Sequence, residues 1–407
     1  MRLLRHILLT AVAMSPILLG SCNIYDRYPV ENNPLEREKG VLVLHVGVAS
    51  QTRADKILPN ELMHSLRVVL LDEDGKVEYN EFYNEESDNK FGGDGLQEYK
   101  PEDDRLIFIT DFGKKKIFFI ANEESVTTVN GVVGNGQSLT DVLKSYEEGA
   151  EDFEEAMNAL YFTPDFDKNL VLSSFYEFDF NPTDSNKTKT FWLVYAASKF
   201  DFTFVNNRAS DISIEALSVN SVADDMYLMA NLHDDEKEKD LPDGGGKVYW
   251  IDWLAEVCEA TNKFPELPEN KDENDRYKWI FDYYLPADRH ANIDIKDKIE
   301  ASDAGNWVIQ PNAQLNLPVV YCSESKYAYD ESANRQNYTI DITLKDVSTG
   351  ETRTFNSESL DNLHTLFRHT HAKVTVTING TPDDIELELE IGICPWVKET
   401  IEIPTFD

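Results

Sequence analysis

The chain has 407 residues, a formal net charge of −37 and 41% hydrophobic residues. A negative charge of this size excludes nucleic acid as a partner, because phosphates would be repelled, and the length is sufficient for two domains with separate cores. Of the four cysteines, Cys22 is a predicted site of lipidation, and the three that remain allow at most one internal disulfide, so stability must come from hydrophobic cores.

Residues 1–21 have the order of a bacterial lipoprotein signal. A short basic region with Arg2 and Arg5 precedes an apolar stretch over 7–19, which ends in Leu-Gly-Ser before Cys22. This stretch is too short and too interrupted to span a membrane, which needs about 20 apolar residues. Small residues before a cysteine are typical of lipoprotein processing, so Cys22 is predicted to carry diacylglycerol and to hold the chain in the outer membrane at the cell surface. The alternative is an ordinary signal peptide with a chance cysteine.

The next segment is predicted to be a tether, followed by the first strands. Residues 22–40 contain prolines and mixed charge without apolar periodicity. Residues 41–48 are almost wholly apolar and predict a strand that is buried on both faces, and the apolar runs 66–71 and 116–121 predict two more. The acidic segment 72–75 resembles part of a calcium loop but lacks the remaining ligand positions, which favours a hairpin turn.

Two short helical segments interrupt the predicted strands. Ser138 and Asp141 fit a capping box, so a helix is predicted from there to about Leu160, with a break at Gly149. Helical character in 251–260 indicates an insertion between strands.

The second half of the chain alternates apolar and polar residues, which predicts antiparallel sheets with one buried and one solvated face. The alternating apolar positions are Phe200, Phe202 and Phe204; Ile340, Ile342 and Leu344; Val374, Val376 and Ile378; and Ile385, Leu387, Leu389 and Ile391. The polar stretch 181–190 separates the two sets of strands. The domains are therefore predicted to be 41–185 and 186–407.

No catalytic signature is present in the sequence. It contains no GxSxG elbow, no phosphate-binding glycine loop and no zinc-protease helix motif. The chain is therefore predicted not to be an enzyme and to need no cofactor. His369 and His371 would share one face of a strand, as two metal ligands do, but no third ligand lies in register nearby. A structural role beside a sandwich core is favoured, and no metal site is predicted.

The order of four segments resembles the fimbrillin family, the type V pilus subunits of Bacteroidales. The segments are the signal ending at Cys22; VLVLHVGVAS with the following QTRA and HSLRVVLLDEDGKV; KKKIFFIANEES; and AASKFDFTFVNN with LFRHTHAKVTVTING. One departure is Arg368-His369, where the family often has an Arg-Asn pair. The resemblance implies an all-β chain with two transthyretin-like antiparallel β-sandwich domains. It also implies an adhesive fimbrial subunit whose partners are other fimbrial subunits and a host or bacterial surface ligand.

The resemblance further implies assembly by donor-strand exchange. In such subunits a trypsin-like or arginine-specific protease cuts after an arginine beyond the first strand, the strand leaves, and a strand from a neighbouring subunit fills the groove. Arg53 matches that position, so the cut is predicted between Arg53 and Ala54. The residues predicted to fill the groove before the cut are Leu42, Leu44, Val46 and Val48. The residues offered by a C-terminal donor strand are Val397, Ile401, Ile403 and Phe406; alternatively, this segment is only the last strand of its own domain.

Two functions therefore remain as hypotheses. The leading one is a fimbrial subunit that polymerises after proteolysis. The alternative is a lipid-anchored adhesin or glycan-binding protein that does not polymerise. They differ in whether the cut chain enters a polymer.

Overall fold

The computed structural model describes residues 38–48, 52–53, 58–84, 106–130, 134–241, 245–260, 281–284, 290–302, 307–326, 338–360, 363, 365–381, 384–396 and 398–399. Strands dominate these ranges, and the helices are few and short. The predicted all-β class with small helical insertions is confirmed. None of the helices in the described ranges has the length and apolar character needed to cross a membrane.

The strands in chain order are β1 Lys39–Val48, β2 Thr52–Arg53, β3 Ser65–Leu71, β4 Val77–Asn84, β5 Leu106–Asp111, β6 Gly113–Ala121, β7 Val129–Asn130, β8 Tyr161–Phe162, β9 Leu172–Phe180, β10 Thr188–Tyr195, β11 Ser198–Asn206, β12 Ile212–Ala223, β13 Met226–Tyr227, β14 Glu238–Asp240, β15 Lys247–Tyr249, β16 His290–Asp294, β17 Val308–Ile309, β18 Ala313–Asn316, β19 Val320–Cys322, β20 Ser325–Lys326, β21 Thr339–Asp346, β22 Thr352–Ser359, β23 Thr365–Leu366, β24 Thr370–Thr381, β25 Asp384–Pro395 and β26 Lys398–Glu399. The α-helices are α1 Leu139–Lys144, α2 Phe153–Ala159, α3 Trp250–Ala260 and α4 Ile295–Ser302. Short 3-10 turns lie at Pro59–Glu61, Glu123–Ser125, Pro182–Asp184 and Asp234–Glu236.

The N-terminal half is a sandwich of two sheet layers, β5-β1-β10 and β4-β3-β6-β9, which join where the end of β10 pairs with β9. The core between the layers takes side chains from β1, β3, β6 and β10. The outer face of β3 and β6 is covered by α1 and α2, which form a second core. Both strands are thus buried on both faces, as the apolar runs 66–71 and 116–121 predict.

Helix α1 begins where the capping pattern predicts. The Ser138 hydroxyl accepts the backbone N–H of Asp141 at 3.1 Å and so satisfies one of the free donors of the first turn. Helix α1 ends at Lys144, and Gly149 lies in the connection to α2 with a φ of 84°, a backbone conformation that suits glycine. The predicted break is confirmed.

The C-terminal half is a second sandwich, formed by the sheets β18-β11-β24-β25 and β16-β12-β21-β22. The alternating positions predicted to point inward contribute to its core. Most ladders are antiparallel, but three ladders between described strands are parallel: β1 with β10, β11 with β24, and β2 with β26. A parallel pair joins strands that are far apart in sequence, because it needs a long crossover.

The predicted division at residues 185 and 186 stays a prediction, since the chain from Lys39 onward forms one compact unit. The sheet pairing nevertheless places β10 with the N-terminal strands, because it lies beside β1. The change from the first sandwich to the second falls between Tyr195 and Ser198.

Arg368 joins the two halves through a buried set of hydrogen bonds. Its side chain is fully buried and forms an ion pair with Glu324. Its remaining N–H groups donate to the Ser173 hydroxyl at 3.1 Å and to the carbonyls of Leu228 and Tyr227 at 2.9 and 2.6 Å. Ser173 lies on β9 of the first sandwich, so this guanidinium ties the second sandwich to the first.

Candidate functional site

Strand β1 lies inside a sheet, although it is the first strand of the compact unit. Its residues 39–44 pair antiparallel with β5, and its residues 43–48 pair parallel with β10. Among the described strands, β5 has no other neighbour, so β1 alone connects β5 to the rest of the layer. We call the space between β5 and β10 that β1 fills the β1 slot.

One face of β1 is buried in the core. Leu42 and Leu44 are fully buried and Val46 is 3% exposed, and all three pack in the core of the first sandwich. Fully burying one such side chain is worth about 1.5–3 kcal/mol, so the three together contribute roughly 5–9 kcal/mol before entropy is counted. This burial agrees with the predicted inward orientation of Leu42, Leu44 and Val46. The predicted departure of β1 from the slot stays a prediction. Val48 pairs with Leu193, and its side chain lies outside the described residues.

The predicted cleavage site and the C-terminal segment meet in the structure. Strand β2 contains Arg53 and runs parallel to β26, with Arg53 opposite Glu399. Cys22, Ala54, Val397, Ile401, Ile403 and Phe406 lie outside the described residues, so their predicted roles stay predictions. The β2–β26 pair could not be predicted from the sequence, because each partner is only two residues long.

Trp396 fixes the chain just before the C-terminal segment. Its indole is fully buried, and its ring centroid lies 4.4 Å from that of Tyr195 and 5.6 Å from that of Tyr321. The Lys199 ammonium lies 4.2 Å from the ring centroid, and the backbone N–H of Trp396 donates to the His369 carbonyl at 2.7 Å. Sequence reasoning missed this cluster, because the residues come from four separate segments.

His369 and His371, the two histidines considered as metal ligands in the sequence, are both buried in the fold. His369 precedes β24 with a φ of 64°, and its Nδ1 accepts the backbone N–H of Tyr195 at 3.2 Å. Burial lowers the pKa of His371 well below 6.5, and Lys199 and Lys373 act in the same direction. In the described ranges, no three His, Cys, Asp or Glu side chains are arranged to hold a metal ion.

The acidic segment 72–75 forms the predicted hairpin turn between β3 and β4. The Asp72 carboxylate accepts the backbone N–H groups of Asp74 and Lys76, both at 2.9 Å. These bonds are those of an Asx turn, in which the aspartate stabilises the local backbone.

A cleft of about 730 Å³ lies between β4 and β5, at the open side of the first sandwich. Side chains bridge it: the Tyr79 hydroxyl donates to the Ile109 carbonyl at 2.6 Å, and the Thr110 hydroxyl donates to Glu78. Glu78 also accepts from the buried Lys115 ammonium at 2.8 and 2.9 Å. These bonds connect β5 to β4 and β6 independently of β1.

Solved structures of Bacteroidales fimbrial proteins are similar to this chain. The tip fimbrial protein Mfa3 from Porphyromonas gingivalis has a TM-score of 0.44 and 11% identity, over 88% of this chain and 100% of that chain. A fimbrial assembly protein from Parabacteroides distasonis has a TM-score of 0.42 and 11% identity, over 88% and 99%. The fimbrial anchor protein Mfa2 from Porphyromonas gingivalis has a TM-score of 0.35 and 7% identity, over 89% and 100%.

Neither protein-family models nor curated proteins match the sequence. The structural similarities stand at low identity and low TM-score, and they assign no function to this chain.

Proposed function

We propose that this chain is the lipid-anchored precursor of an extracellular, non-enzymatic fimbrial subunit. In this proposal β1 occupies the slot temporarily, a protease cuts after Arg53, and a strand from another subunit replaces β1. The observation that carries the proposal is the position of β1: a terminal strand fills the inside of a sheet and is followed within five residues by an arginine.

The energetics make such an exchange reasonable. An empty slot would expose apolar core and unpaired backbone groups of β5 and β10, which is the situation that edge strands normally avoid. A strand that covers the apolar core again and pairs with these backbone groups can be bound tightly, as in donor-strand complementation. The incoming strand must replace the buried apolar side chains of Leu42, Leu44 and Val46.

The proposed partners follow from this mechanism of lipid anchoring, cleavage and strand exchange. They are other fimbrial subunits, an arginine-specific or trypsin-like protease, outer-membrane lipid through Cys22, and a host or bacterial surface ligand. The charge of −37 suits a protein that must stay soluble at a crowded surface.

The test uses cells that express the full chain with a tag placed at an exposed turn. Surface material is sheared off and run unboiled on a non-reducing gel, and the tagged bands are sequenced from the N-terminus. We expect a ladder whose subunits begin at Ala54. The Arg53→Ala variant should be absent from the ladder, whereas Arg353→Ala, which removes an arginine with 42% of its side chain exposed, should enter it normally.

Two other outcomes separate the hypotheses. Arg67 is a poor cleavage site, because its side chain is 3% exposed and paired with Glu123 at 2.6 Å, so an N-terminus following it would contradict the proposed route. A stable, cut chain that never enters a ladder would favour the non-polymerising adhesin. Lipid attachment is tested separately, since Cys22→Ser should abolish labelling with radioactive palmitate.

A further inference from the structure

The β1 slot is closed at one end by two aromatic rings. Gly40 shares the inward face with Leu42, Leu44 and Val46, because the four residues alternate along β1. A Cβ atom at Gly40 would lie 2.4 Å from Cε1 and 2.6 Å from Cζ of Phe112, and 3.0 Å from Cζ of a second ring, Phe180. The end of the slot therefore has room for a glycine but not for a branched side chain.

The two rings are held in place by the core. Phe180 is fully buried on β9, and its ring centroid lies 5.0 Å from that of Phe112. Phe112 packs against the same core from the residue after β5. A methyl group could be accommodated by a small shift of the Phe112 ring, but a larger group would have to displace packed atoms, which is destabilising.

This arrangement fixes the register of any strand in the slot. From the end at Gly40, the inward positions need a small residue and then three apolar residues at alternate positions. Because side chains alternate with a period of two, a slip by one residue would turn the apolar side chains outward, and a slip by two would bring a large residue against the rings.

The chain's own C-terminal segment does not satisfy this pattern. Four registers, two in each strand direction, place both Ile401 and Ile403 among the apolar inward positions 42, 44 and 46. Each of them also places an acidic residue at an inward position: Glu399 in three registers and Asp407 in the fourth. An unpaired carboxylate is costly in an apolar slot.

We propose that the β1 slot selects a strand from a different protein, with the inward pattern small-x-apolar-x-apolar-x-apolar, and that Phe112 and Phe180 enforce the small residue. This inference rests on the proposed function, because it assumes that β1 can be replaced. It makes the chain an acceptor for another subunit and excludes a filament in which copies of this chain fill one another's slots.

The test uses the full chain carrying Leu44→Asp, which loosens its own β1, and fluorescent peptides whose binding is followed by anisotropy. The native peptide copies residues 39–48. A second peptide carries Gly40→Val, and a matched control carries Lys39→Val, which adds the same side chain at the neighbouring position, where the lysine side chain is 62% exposed. A fourth peptide copies residues 397–407.

We expect the native and Lys39→Val peptides to bind alike and the Gly40→Val peptide to bind roughly 10-fold more weakly or worse. Adding Phe112→Ala to the protein should restore binding of the Gly40→Val peptide. The C-terminal peptide should bind at least about 10-fold more weakly than the native one.

Equal binding of the Gly40→Val and native peptides would overturn the inference that Phe112 and Phe180 fix the register of the strand, and it would leave the exchange mechanism standing. Tight binding of the C-terminal peptide would make the partner a second copy of this chain and would overturn the inference in the same way. Failure of all four peptides would overturn the exchange mechanism together with the inference. A second measurement needs no peptides. Gly40→Val in the otherwise native chain should lower the melting temperature, and adding Phe112→Ala should recover part of the loss. An unchanged melting temperature would contradict the claim that the two rings leave no room for a branched side chain at position 40.

Discussion

Replacing Arg368 with methionine should weaken the junction between the two sandwiches. The guanidinium is fully buried, and its contacts reach Glu324 in the second half and Ser173 in the first. Methionine has a similar length but no donors. The Glu324 carboxylate, 2% exposed, would therefore lose its cationic partner, and the carbonyls of Leu228 and Tyr227 would each lose a donor.

The size of the effect follows from the burial of the pair. Removing one partner of a buried ion pair costs about 3–5 kcal/mol, because the other charge stays buried without compensation. For domains of this size, 1 kcal/mol corresponds to about 2–4 °C in melting temperature. Arg368→Met should thus lower the melting temperature by roughly 6–20 °C on these two scales.

Thermal melting followed by circular dichroism measures this change, and the chain offers a matched control. Arg353 pairs with Asp384 at the surface, where the two side chains are 42% and 59% exposed, so Arg353→Met should cost less than about 1 kcal/mol. The double variant Arg368→Met/Glu324→Met should regain stability relative to Arg368→Met, because no buried charge remains. The reasoning is refuted if Arg368→Met melts no lower than Arg353→Met.

Three further changes test other parts of the molecule. Leu44→Asp should lower the melting temperature by at least about 5 °C, because it buries a carboxylate in the core. Ile107→Asp, at a position 50% exposed on neighbouring β5, should have little effect. Equal melting temperatures of the two variants would mean that β1 is not held in the core. The thiol of Cys322 should resist alkylation at pH 8 until the chain unfolds, since burial raises its pKa to about 12; peptide mass spectrometry detects the modification, and labelling of the folded chain would contradict this. The lowered pKa of His371 means that the unfolded chain binds the proton more tightly, so stability should fall as the pH drops below 6.5, by up to about 1.4 kcal/mol per pH unit. Urea denaturation of His371→Gln at pH 7 and pH 5 should show a smaller loss than the native chain, and an identical loss would exclude this histidine as the cause.

Local features of the fold could be predicted from the sequence because they depend on neighbouring residues. The Ser138 cap, the break at Gly149 and the inward alternation of Phe200, Phe202 and Phe204 all follow from periods and turn chemistry within a few residues. The burial of Leu42 and Leu44 was expected for the same reason.

The long-range pairings could not be read from any local pattern. The parallel ladder between β1 and β10 joins residues such as Val43 and Thr188, and no periodicity encodes which distant strand lies beside another. The boundary at residues 185 and 186 was predicted from a polar stretch and stays a prediction; that stretch could not indicate that the following strand β10, which ends at Tyr195, lies beside β1. Arg368 and Trp396 were likewise not expected to be fully buried, because their partners come from several segments.

The side-chain bridge across the β4–β5 cleft has a consequence for how fast an emptied slot could be refilled. When β1 leaves, β5 loses its backbone neighbour, yet the bonds from Tyr79 to Ile109 and from Thr110 to Glu78 would still connect it to the opposite layer. The two walls of the slot would then stay near their final spacing. An incoming strand would not have to order β5 as it binds, so less conformational entropy would be lost in the encounter. Preorganisation of this kind favours binding without adding a single contact.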